Sequence, residues 1–449
     1  MNQKLVANMP IFSINYLVKN YIFENLWLYG KVVLKSRLLL AFLLLVVLII
    51  SIGGYSIYVN YVIKPSMVPG PVVFSYNEDY WRGSYAFGFA VSNGSIRNVV
   101  DQFMVVMDHN GNYISYENSS THSFNYINQL SESELYYYYR PQRMEADPDP
   151  SVVAEARIWD FRGDGTRTIL DGVNIQGHHE FLIEDGYFVT MRRVGEGGLD
   201  TVVHLDPLTG NETWFWSSEP YFPEKLCELC RDDDWTHGND VTVSLDGRYY
   251  FVNFRNTDNF AKIEIDTQEL VWIAGRNGNF SLLEDGVEKE SLWYHSHIIK
   301  EVEPNVFLMF DNDFHNSTKL DVYPAGENPY VTNFGGQSRL IEITFDESTM
   351  TGEVTWSYVP DVVYFSAIFG DVDVLPNGNI LGIFGTPDHR WTADLEEIEE
   401  PFGAALLEIN REGELIREYR FPLGVSIYRV TELSDDPADY VGSWLLEVN

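Results

Sequence analysis

From Gly70 onward the chain consists of short runs of apolar or alternating apolar and polar residues, separated by Asn-Gly, Asp-Gly and Thr-Gly turns. Alternation with a period of two is typical of β-strands that bury one face, whereas an amphipathic helix repeats apolar residues three and four positions apart. Helical periodicity of useful length is almost absent after Gly70. The pattern therefore predicts an all-β fold.

One strand-turn-strand pattern recurs six times, with an apolar strand, a turn opened by Asp or Asn, and a strand that carries an aromatic residue. The turns open at Asp108, Asp160, Asp206, Asp266, Asp346 and Asn410. Their average spacing of about 60 residues suits a four-stranded propeller blade with long loops. Because radial repetition leaves few exposed sheet edges, we predict a six-bladed β-propeller. Five or seven blades remain alternatives, since the Asp160 copy is the least regular.

A second hairpin pattern runs between these copies and carries histidines. Its turns lie at Asp185-Gly186, Asp246-Gly247, Pro304-Asn305 and Asn377-Gly378. His179, His237 and His297 each precede one of the first three turns, and they lie 58 and 60 residues apart. Equivalent positions in successive blades form a ring around the axis, so we expect these imidazoles to converge on the central channel. For any single histidine, a bond to a loop backbone is the ordinary alternative.

The partner strand of each hairpin returns polar or cationic residues to the same end. These are Arg192 and Arg193 near His179, Arg255 near His237, and Asp311-Asn312 near His297. Asn239 shares the face of His237 if that segment is extended. Arg, Asn and His donors suit an oxyanion such as sulfate or phosphate. Nearby Trp235, Trp293 and Tyr294 suit stacking on an aromatic ligand, although bulky residues in a β-rich fold more often belong to the core.

The strongly negative net charge of the chain excludes one class of function. The chain has 30 basic and 66 acidic residues, for a net charge of −36, and only 10 of the cations are lysine. Direct binding to nucleic acid is excluded as a function, because phosphate contacts need a basic face. A lysine-poor, acidic surface suits concentrated salt, as in halophilic archaea, where screening removes the self-repulsion.

The N-terminal region predicts a membrane anchor. Lys4, Lys19, Lys31, Lys35 and Arg37 precede the uncharged residues 38–63, which are long enough to span a bilayer as one helix. The positive-inside tendency then predicts a cytoplasmic segment 1–37, a transmembrane helix 38–63 and an extracellular domain 64–449. The alternative is a cleaved signal peptide with its apolar region at 38–50 and cleavage near 51–54.

Cys227 and Cys230 form a lone Cys-Glu-Leu-Cys pair. Outside the reducing cytosol, a disulfide is the default interpretation of such a pair. The alternatives are redox chemistry and half of a zinc site, but neither a thioredoxin context nor a second cysteine pair is present.

Several segments in order resemble the arylsulfotransferase family, and together they cover most of residues 68–430. They are PGPVVFSYNED, VMDHNGN, GHHEFLIEDGYFV, DWTHGNDVTVSLDGRYYFVNFR, KIEIDTQELVWIAG, HSHIIKEVEPNVFLMFDND, SRLIEITFDESTMTGEVTWSY and DVDVLPNGNILGIFG. The resemblance implies a six-bladed propeller with the active site in its central channel. It also implies transfer of a sulfuryl group from an aryl sulfate to a phenol or other hydroxyl acceptor, without a nucleotide donor, cofactor or metal. The segment GDVDVLPNGN departs from the family pattern at Asp371 and Asp373, which leaves the acceptor open.

The resemblance also assigns roles to residues. His237, Asn239 and Arg255 match the family residues that bind the sulfuryl oxygens, and His179 matches the histidine of the first hairpin. The family's nucleophilic histidine falls in the segment His-Ser-His, where counting back from Asp311-Asn312 selects His297. The second expected group, which contacts the substrates, is His295, His178, Arg193, Asn312 and Trp235.

Two of these assignments depend on which way the side chains point along a strand. His295 shares the strand face of His297 and is therefore the alternative nucleophile, whereas His178 is expected to face away from His179 on a regular strand. The implied mechanism is a double displacement through a sulfo-histidine, with His179 or His237 as the acid or base.

Two other functions fit the same residues. A metal-dependent hydrolase would bind one cation through His179, His237 and His295 or His297, but it would leave Arg255 idle. A non-catalytic surface propeller would use the same site to bind a sulfated or otherwise anionic glycan. The sequence does not indicate which oligomeric state the protein adopts.

Overall fold

The computed structural model describes residues 68–440, except for 93–98, 142–153, 164, 170–174, 176, 196, 223–233, 316–335, 362–363 and 386–401. All of these residues except Val68 belong to the second of two compact units, Pro69–Asn449. The predicted segments 1–37 and 38–63 lie outside the described residues, as do Cys227 and Cys230. Within the described part of the chain, no helix is long and apolar enough to cross a membrane.

The described residues form β-strands joined by turns and short 3-10 helices. The first fourteen strands are β1 (Val72–Ser75), β2 (Ser84–Ser92), β3 (Val99–Asp108), β4 (Tyr113–Ser119), β5 (His122–Gln129), β6 (Glu134–Pro141), β7 (Glu155–Asp160), β8 (Gly165–Ile169), β9 (His178–Glu184), β10 (Tyr187–Val194), β11 (Leu199–Leu205), β12 (Glu212–Ser217), β13 (Gly238–Val243) and β14 (Tyr249–Phe254). The following strands are β15 (Asn259–Glu264), β16 (Leu270–Gly275), β17 (Ser281–Glu284), β18 (Val287–Lys289), β19 (Ile298–Glu303), β20 (Val306–His315), β21 (Gly336–Asp346), β22 (Thr351–Tyr358), β23 (Asp371–Val374), β24 (Ile380–Phe384), β25 (Phe402–Ile409), β26 (Leu415–Pro422) and β27 (Val425–Leu433). The 3-10 helices include Arg255–Thr257 and Pro437–Asp439.

The strands form six sheets, each with an antiparallel core of four strands. From the axis outward, these cores are β27-β2-β3-β4, β5-β6-β7-β8, β9-β10-β11-β12, β13-β14-β15-β16, β19-β20-β21-β22 and β23-β24-β25-β26. The innermost strands β27, β5, β9, β13, β19 and β23 contact one another in turn and close a ring. The fold is therefore a six-bladed β-propeller, as predicted. Strand β1 adds to the outer edge of β26, and the hairpin β17-β18 adds to β22.

The ring is closed by strands from opposite ends of the propeller sequence. Strand β27 pairs with β2, from Ser84 opposite Leu433 to Val91 opposite Val425. The first blade therefore takes its innermost strand from the end of the propeller sequence and its other three strands from the beginning. This pairing removes two sheet edges, which would otherwise be open to association with other strands.

Hydrophobic patterning differs between the middle and outer strands of a blade. Every side chain of β24 and β25 is buried, because these strands are covered on both faces by neighbouring blades. In the outer strand β22, by contrast, exposed residues alternate with better covered ones. Strands buried on both faces read as continuous apolar runs, and half-exposed strands alternate. The core therefore lies in layers between adjacent blades.

The six repeated turns all connect the third and fourth strands of a blade core. In five of them the side chain of the opening residue caps the turn. For example, Asp108 Oδ1 accepts the N–H of Asn110 at 2.8 Å, and Asn410 Oδ1 accepts that of Glu414 at 2.8 Å. The irregular Asp160 copy has the same capped turn, with Gly163 N–H donating to Asp160 Oδ1 at 2.9 Å. Because the described strands form six blade cores, the five- and seven-bladed alternatives are wrong.

The net charge of −36 gives a prediction for stability. Like charges on one folded surface repel each other, and the repulsion is screened over about 10 Å at 0.1 M salt and about 3 Å at 1 M. We expect the melting temperature to rise as NaCl is increased from 0.1 to 2 M. Thermal unfolding followed by circular dichroism tests this; a melting temperature that is flat or falls with salt contradicts it.

Candidate active site

The predicted histidines lie where three successive inner strands begin, at the end of the channel opposite the inner hairpin turns. His179 is the second residue of β9, His237 directly precedes β13, and His297 directly precedes β19. The backbone φ is 59° at His179 and 50° at His237. This left-handed conformation is unfavourable for residues with a Cβ by about 1 kcal/mol, and such strain concentrates at functional sites.

The structure brings His179, His237 and His297 together around Tyr428 of β27. The ring centroids of His179 and His237 are 4.8 Å apart. The ring of Tyr428 lies 6.5 Å from that of His179 and 6.3 Å from that of His297. Sequence reasoning missed Tyr428, because the closing strand β27 has no inner hairpin turn from which its position can be counted.

His237 is held by a carboxylate and an arginine. Its Nδ1 lies 2.6 Å from Asp234 Oδ2, which also pairs with Arg193 Nη2 at 2.9 Å. The carbonyl of His237 accepts the N–H of Arg255 at 3.0 Å, which fixes the backbone across the hairpin. Arg193 was predicted to return near His179 of its own blade, and its guanidinium also reaches the next blade. Asp234 was missed, because it opens the segment DWTHGNDVTVSLDGRYYFVNFR but only His237, Asn239 and Arg255 of that segment matched family residues with a role.

Both ring nitrogens of His297 have hydrogen-bond partners. Nδ1 donates to Asn312 Oδ1 at 2.7 Å, and Nε2 accepts the backbone N–H of Phe369 at 3.0 Å. Asn312 Nδ2 in turn donates to the carbonyls of Ser366 at 2.8 Å and Phe369 at 2.6 Å. Asn312 therefore fixes the proton of His297 on Nδ1 and holds the Ser366–Phe369 segment over the ring.

The expectation that His178 faces away from His179 is wrong. The Nδ1 atoms of the two rings are 2.8 Å apart, and His178 Nε2 lies 3.0 Å from Asp200 Oδ1. The left-handed backbone at His179 breaks the alternation of a regular strand, so both side chains join the same cluster. Asp200, which is 1% exposed, also accepts hydrogen bonds from Thr236 and from the backbone of Gly238.

His295 is the backbone counterpart of His237. Its φ is 56°, it lies 58 residues after His237, and its N–H donates to Asp258 Oδ1 at 2.9 Å. His297 then occupies the position of Asn239, whose Nδ2 donates to the Ser296 carbonyl at 3.1 Å. The ring contacts with Tyr428 and Phe369 belong to His297.

Burial and positive charge keep the three imidazoles neutral. Burial is the main cause that lowers the pKa of His179, His237 and His297 well below the ordinary value. The Arg255 guanidinium lowers the pKa of His237 and His297 further, and that side chain is itself 6% exposed. A neutral imidazole has a lone pair that can attack an electrophile or accept a proton.

The model of the arylsulfotransferase (ASST) family matches residues 75–421 of the chain. This chain belongs to the arylsulfotransferase family. It is therefore an aryl sulfotransferase, an enzyme that uses an aryl sulfate donor and a hydroxyl acceptor. A search of curated proteins gives no match.

Two solved structures that resemble the chain have low sequence identity to it. A protein of unknown function from Bacteroides caccae is 9% identical, with a TM-score of 0.47, and the match covers 79% of this chain and 100% of that one. The periplasmic gluconolactonase of Pseudomonas aeruginosa is 10% identical, with a TM-score of 0.39 and coverage of 79% and 100%. Neither similarity bears on the arylsulfotransferase chemistry.

Three other residues that the sequence singled out in this arylsulfotransferase are Asp371, Asp373 and Trp235. Asp371 and Asp373 line a cavity of about 640 Å³ that includes Tyr428 and extends toward the inner hairpin turns, and Lys300 pairs with Asp373. Trp235 packs against Gly197 of the neighbouring blade and donates its backbone N–H to the Gly197 carbonyl at 2.9 Å. Its indole therefore contributes to the interface between blades.

The metal-dependent alternative requires several ligating side chains around one point. Among the residues that the structure describes, no group of three His, Cys, Asp or Glu side chains is arranged to hold a metal ion. The contacts of His237 and His297 with Asp234 and Asn312 instead fix the orientation and protonation of each ring. Such contacts suit acid-base or nucleophilic chemistry.

Proposed function

We propose that the enzyme transfers the sulfuryl group by double displacement, with His297 as the nucleophile. In the first step, His297 Nε2 forms a bond to sulfur, the bond from sulfur to the aryl oxygen breaks, and its electron pair leaves with the phenolate. In the second step, the acceptor hydroxyl gives its proton to His179 or His237, its oxygen forms the new bond to sulfur, and the nitrogen-sulfur electron pair returns to Nε2. The observation that supports this proposal most strongly is the convergence of neutral imidazoles, within range of the Arg255 charge, at the mouth of the channel.

The contacts of His297 support this role. Because Nδ1 donates to Asn312 Oδ1, the lone pair of the neutral ring is on Nε2, the atom that must attack. The positive charge of Arg255 lowers the pKa of both His297 and His237, so the guanidinium lies within electrostatic range of the region between the two rings. A sulfuryl group in that region would gain charged donors for its oxygens, which carry more negative charge in the transition state.

The attack also requires the Phe369 N–H to leave His297 Nε2. Phe369 has a left-handed φ of 64°, and it precedes Gly370 with a φ of 134°. A bulky residue in that conformation is strained by about 1–3 kcal/mol. Donor binding that displaces the Phe369 backbone would relieve this strain and free the lone pair at the same time.

The direct test is to incubate the purified protein with 4-nitrophenyl sulfate, with and without phenol. We expect rapid release of about one equivalent of 4-nitrophenolate without acceptor, and continuous release with phenol together with formation of phenyl sulfate. Steady formation of free inorganic sulfate without a burst would contradict double displacement. Chelator-sensitive hydrolysis would favour the metal-dependent alternative.

The lowered pKa values predict the pH dependence of the first step. Neutral His297 is the reactive form, and its pKa lies well below the ordinary imidazole value of about 6.5. We expect the burst rate constant to stay flat from pH 8 to pH 6.5 and to fall only at lower pH. Stopped-flow absorbance at the isosbestic wavelength of 4-nitrophenol and 4-nitrophenolate measures this rate constant. A decline of the rate constant that is already centred at pH 6.5 contradicts the prediction.

The same groups affect stability with a defined sign. Between the folded and the unfolded pKa of each histidine, the unfolded chain binds more protons than the folded one, so protonation favours unfolding. Their contribution to stability is present above about pH 6.5 and is lost as the pH falls toward the folded pKa.

We also propose that residues 38–63 anchor the enzyme, with the propeller outside the cell and Cys227 bonded to Cys230. The support is the charge-free length of the segment, its basic N-terminal flank and the isolated cysteine pair. Protease added to intact cells should digest the propeller and spare the N-terminal segment. Mass spectrometry of the protein without reduction should find the two cysteines disulfide-bonded rather than as free thiols.

A further inference from the structure

We propose that Asp234 is a positioning residue that fixes the tautomer of His237, so that His237 Nε2 accepts the proton of the acceptor hydroxyl. This inference rests on the proposed double displacement. It concerns the second step, in which the acceptor attacks the sulfo-histidine and must lose a proton.

The contacts of His237 determine which ring nitrogen carries the proton. Its Nδ1 lies 2.6 Å from Asp234 Oδ2, and a carboxylate oxygen can only accept, so Nδ1 carries the proton. The lone pair is then on Nε2, for which none of the described residues supplies a hydrogen-bond partner. The side chain of His237 is 18% exposed, whereas that of Asp234 is 5% exposed. The available nitrogen therefore faces the open part of the site, and the carboxylate supports the ring from behind.

Arg193 makes the carboxylate necessary. Its Nη2 lies 2.9 Å from Asp234 Oδ2 and 3.2 Å from His237 Nδ1. A guanidinium can only donate, so without the carboxylate it would bind the Nδ1 lone pair and move the proton to Nε2. A ring protonated on Nε2 cannot accept a proton there. Asp234 thus both binds Arg193 and prevents it from selecting the wrong tautomer.

The other two imidazoles have different surroundings. His297 Nε2 is engaged by the Phe369 N–H, and His179 Nδ1 faces His178 Nδ1 at 2.8 Å. In the part of the chain that the structure describes, His237 is the only one of these three histidines whose Nδ1 contacts a carboxylate. The charged and titratable groups that face His237 are Arg193, Arg255, Asp234, Asp200, His178, His179 and His297.

The substitution Asp234→Asn separates the two half-reactions. An asparagine amide can turn its NH2 group toward Nδ1 and favour the wrong tautomer, while its size is nearly unchanged. The donor 4-nitrophenyl sulfate has a good leaving group that needs little protonation, so the burst should change by less than about threefold. Steady turnover with phenol should fall by about 10²–10⁴-fold, the range that general acid-base catalysis supplies.

The dependence on the acceptor gives a second readout. In the Asn variant, turnover should rise with pH and with the acidity of the phenol acceptor, because acceptors that are already ionised need no base. The matched control is Asp206→Asn, since Asn410 fills the equivalent turn position in another blade. This control should leave both half-reactions unchanged. Asp234→Glu should restore part of the turnover.

The outcomes distinguish this inference from the proposed function. Absence of a burst in the unsubstituted enzyme would overturn the double displacement itself. A normal burst there, with equal losses in both half-reactions of Asp234→Asn or with no loss, would overturn the role of Asp234. If Asp234→Asn does not fold, ¹⁵N-histidine NMR of the unsubstituted full chain still decides. We expect the Nδ1–H tautomer of His237, and the Nε2–H tautomer would contradict the inference.

Discussion

Replacing His297 by glutamine abolishes sulfuryl transfer and leaves the propeller folded; this is the largest effect that we expect. Loss of a nucleophile removes the covalent step, and we expect turnover to fall by about 10⁴–10⁶-fold, as in other enzymes that lose theirs. Glutamine retains a polar group near Asn312 and Phe369, so fewer buried hydrogen-bonding groups lose their partner than with alanine. The burst and the steady rate with phenol measure the loss.

The matched control is His204→Gln. His204 stacks on Phe215 in the outer part of its blade, at a ring distance of 4.6 Å, and lies outside the imidazole cluster. We expect this variant to keep full transfer activity. Circular dichroism and the melting temperature of both variants separate loss of chemistry from loss of fold.

Peptide mapping identifies the nucleophile independently. After reaction with 4-nitrophenyl sulfate and no acceptor, digestion after lysine should yield a sulfated peptide of residues 290–300, which contains both His295 and His297. Fragmentation between the two histidines should place the group on His297. A mark on His295 would move the nucleophile by two residues and keep the mechanism. Substantial transfer by His297→Gln would refute the assignment.

The second large effect concerns Arg255. Replacing it by methionine should lower kcat by about 30- to 10³-fold, because a lost donor to a developing oxyanion raises the barrier by about 2–4 kcal/mol. Its charge lowers the pKa of His237 and His297, so the acid limb of the burst rate should move to higher pH in this variant. Steady-state kinetics and the pH profile of the burst test both expectations.

Arg248→Met is the control for charge removal. Arg248 lies at the turn end of the same hairpin, where it pairs with Glu264, and its side chain is 61% exposed. We expect unchanged kinetics, since an exposed pair contributes little and lies at the far end of β14 from the site. A rise in KM alone for Arg255→Met, with kcat unchanged, would show that Arg255 binds the donor without stabilising the transition state.

Much of the fold follows from local signals. A turn opened by Asp or Asn is encoded within a few residues, because the side chain accepts backbone N–H groups two to four positions ahead, as at Asp108 and Asn410. Six turns opened by Asp or Asn at blade-like intervals, five of them capped in this way, were therefore enough to predict six blades. The intervals are uneven because insertions occur between blades, such as the hairpin β17-β18 between Asp266 and Asp346.

The positions of the histidines were also predictable in part. Blade-period spacing places equivalent residues around one axis, which is why His179, His237 and His297 could be expected to meet. The backbone counterpart of His237 is nevertheless His295, and His297 lies two residues beyond it. Strand alternation then failed at His178, because the backbone at His179 is left-handed and the sequence carries no glycine there to indicate it. Asn239 lies at a register shift between β13 and β14, which simple alternation also does not predict.

The sequence by itself determined the β-propeller class, the number of blades, the acidic surface and the ring of histidines, since each depends on short-range patterns or on composition. Only the tertiary structure decided the partners of those histidines. Tyr428 reaches the site because ring closure places β27 beside β5, and Arg193 meets Asp234 and His237 because adjacent blades pack side by side. These contacts join residues that are distant in sequence or lie on different blades, and no local pattern records which pairs will meet.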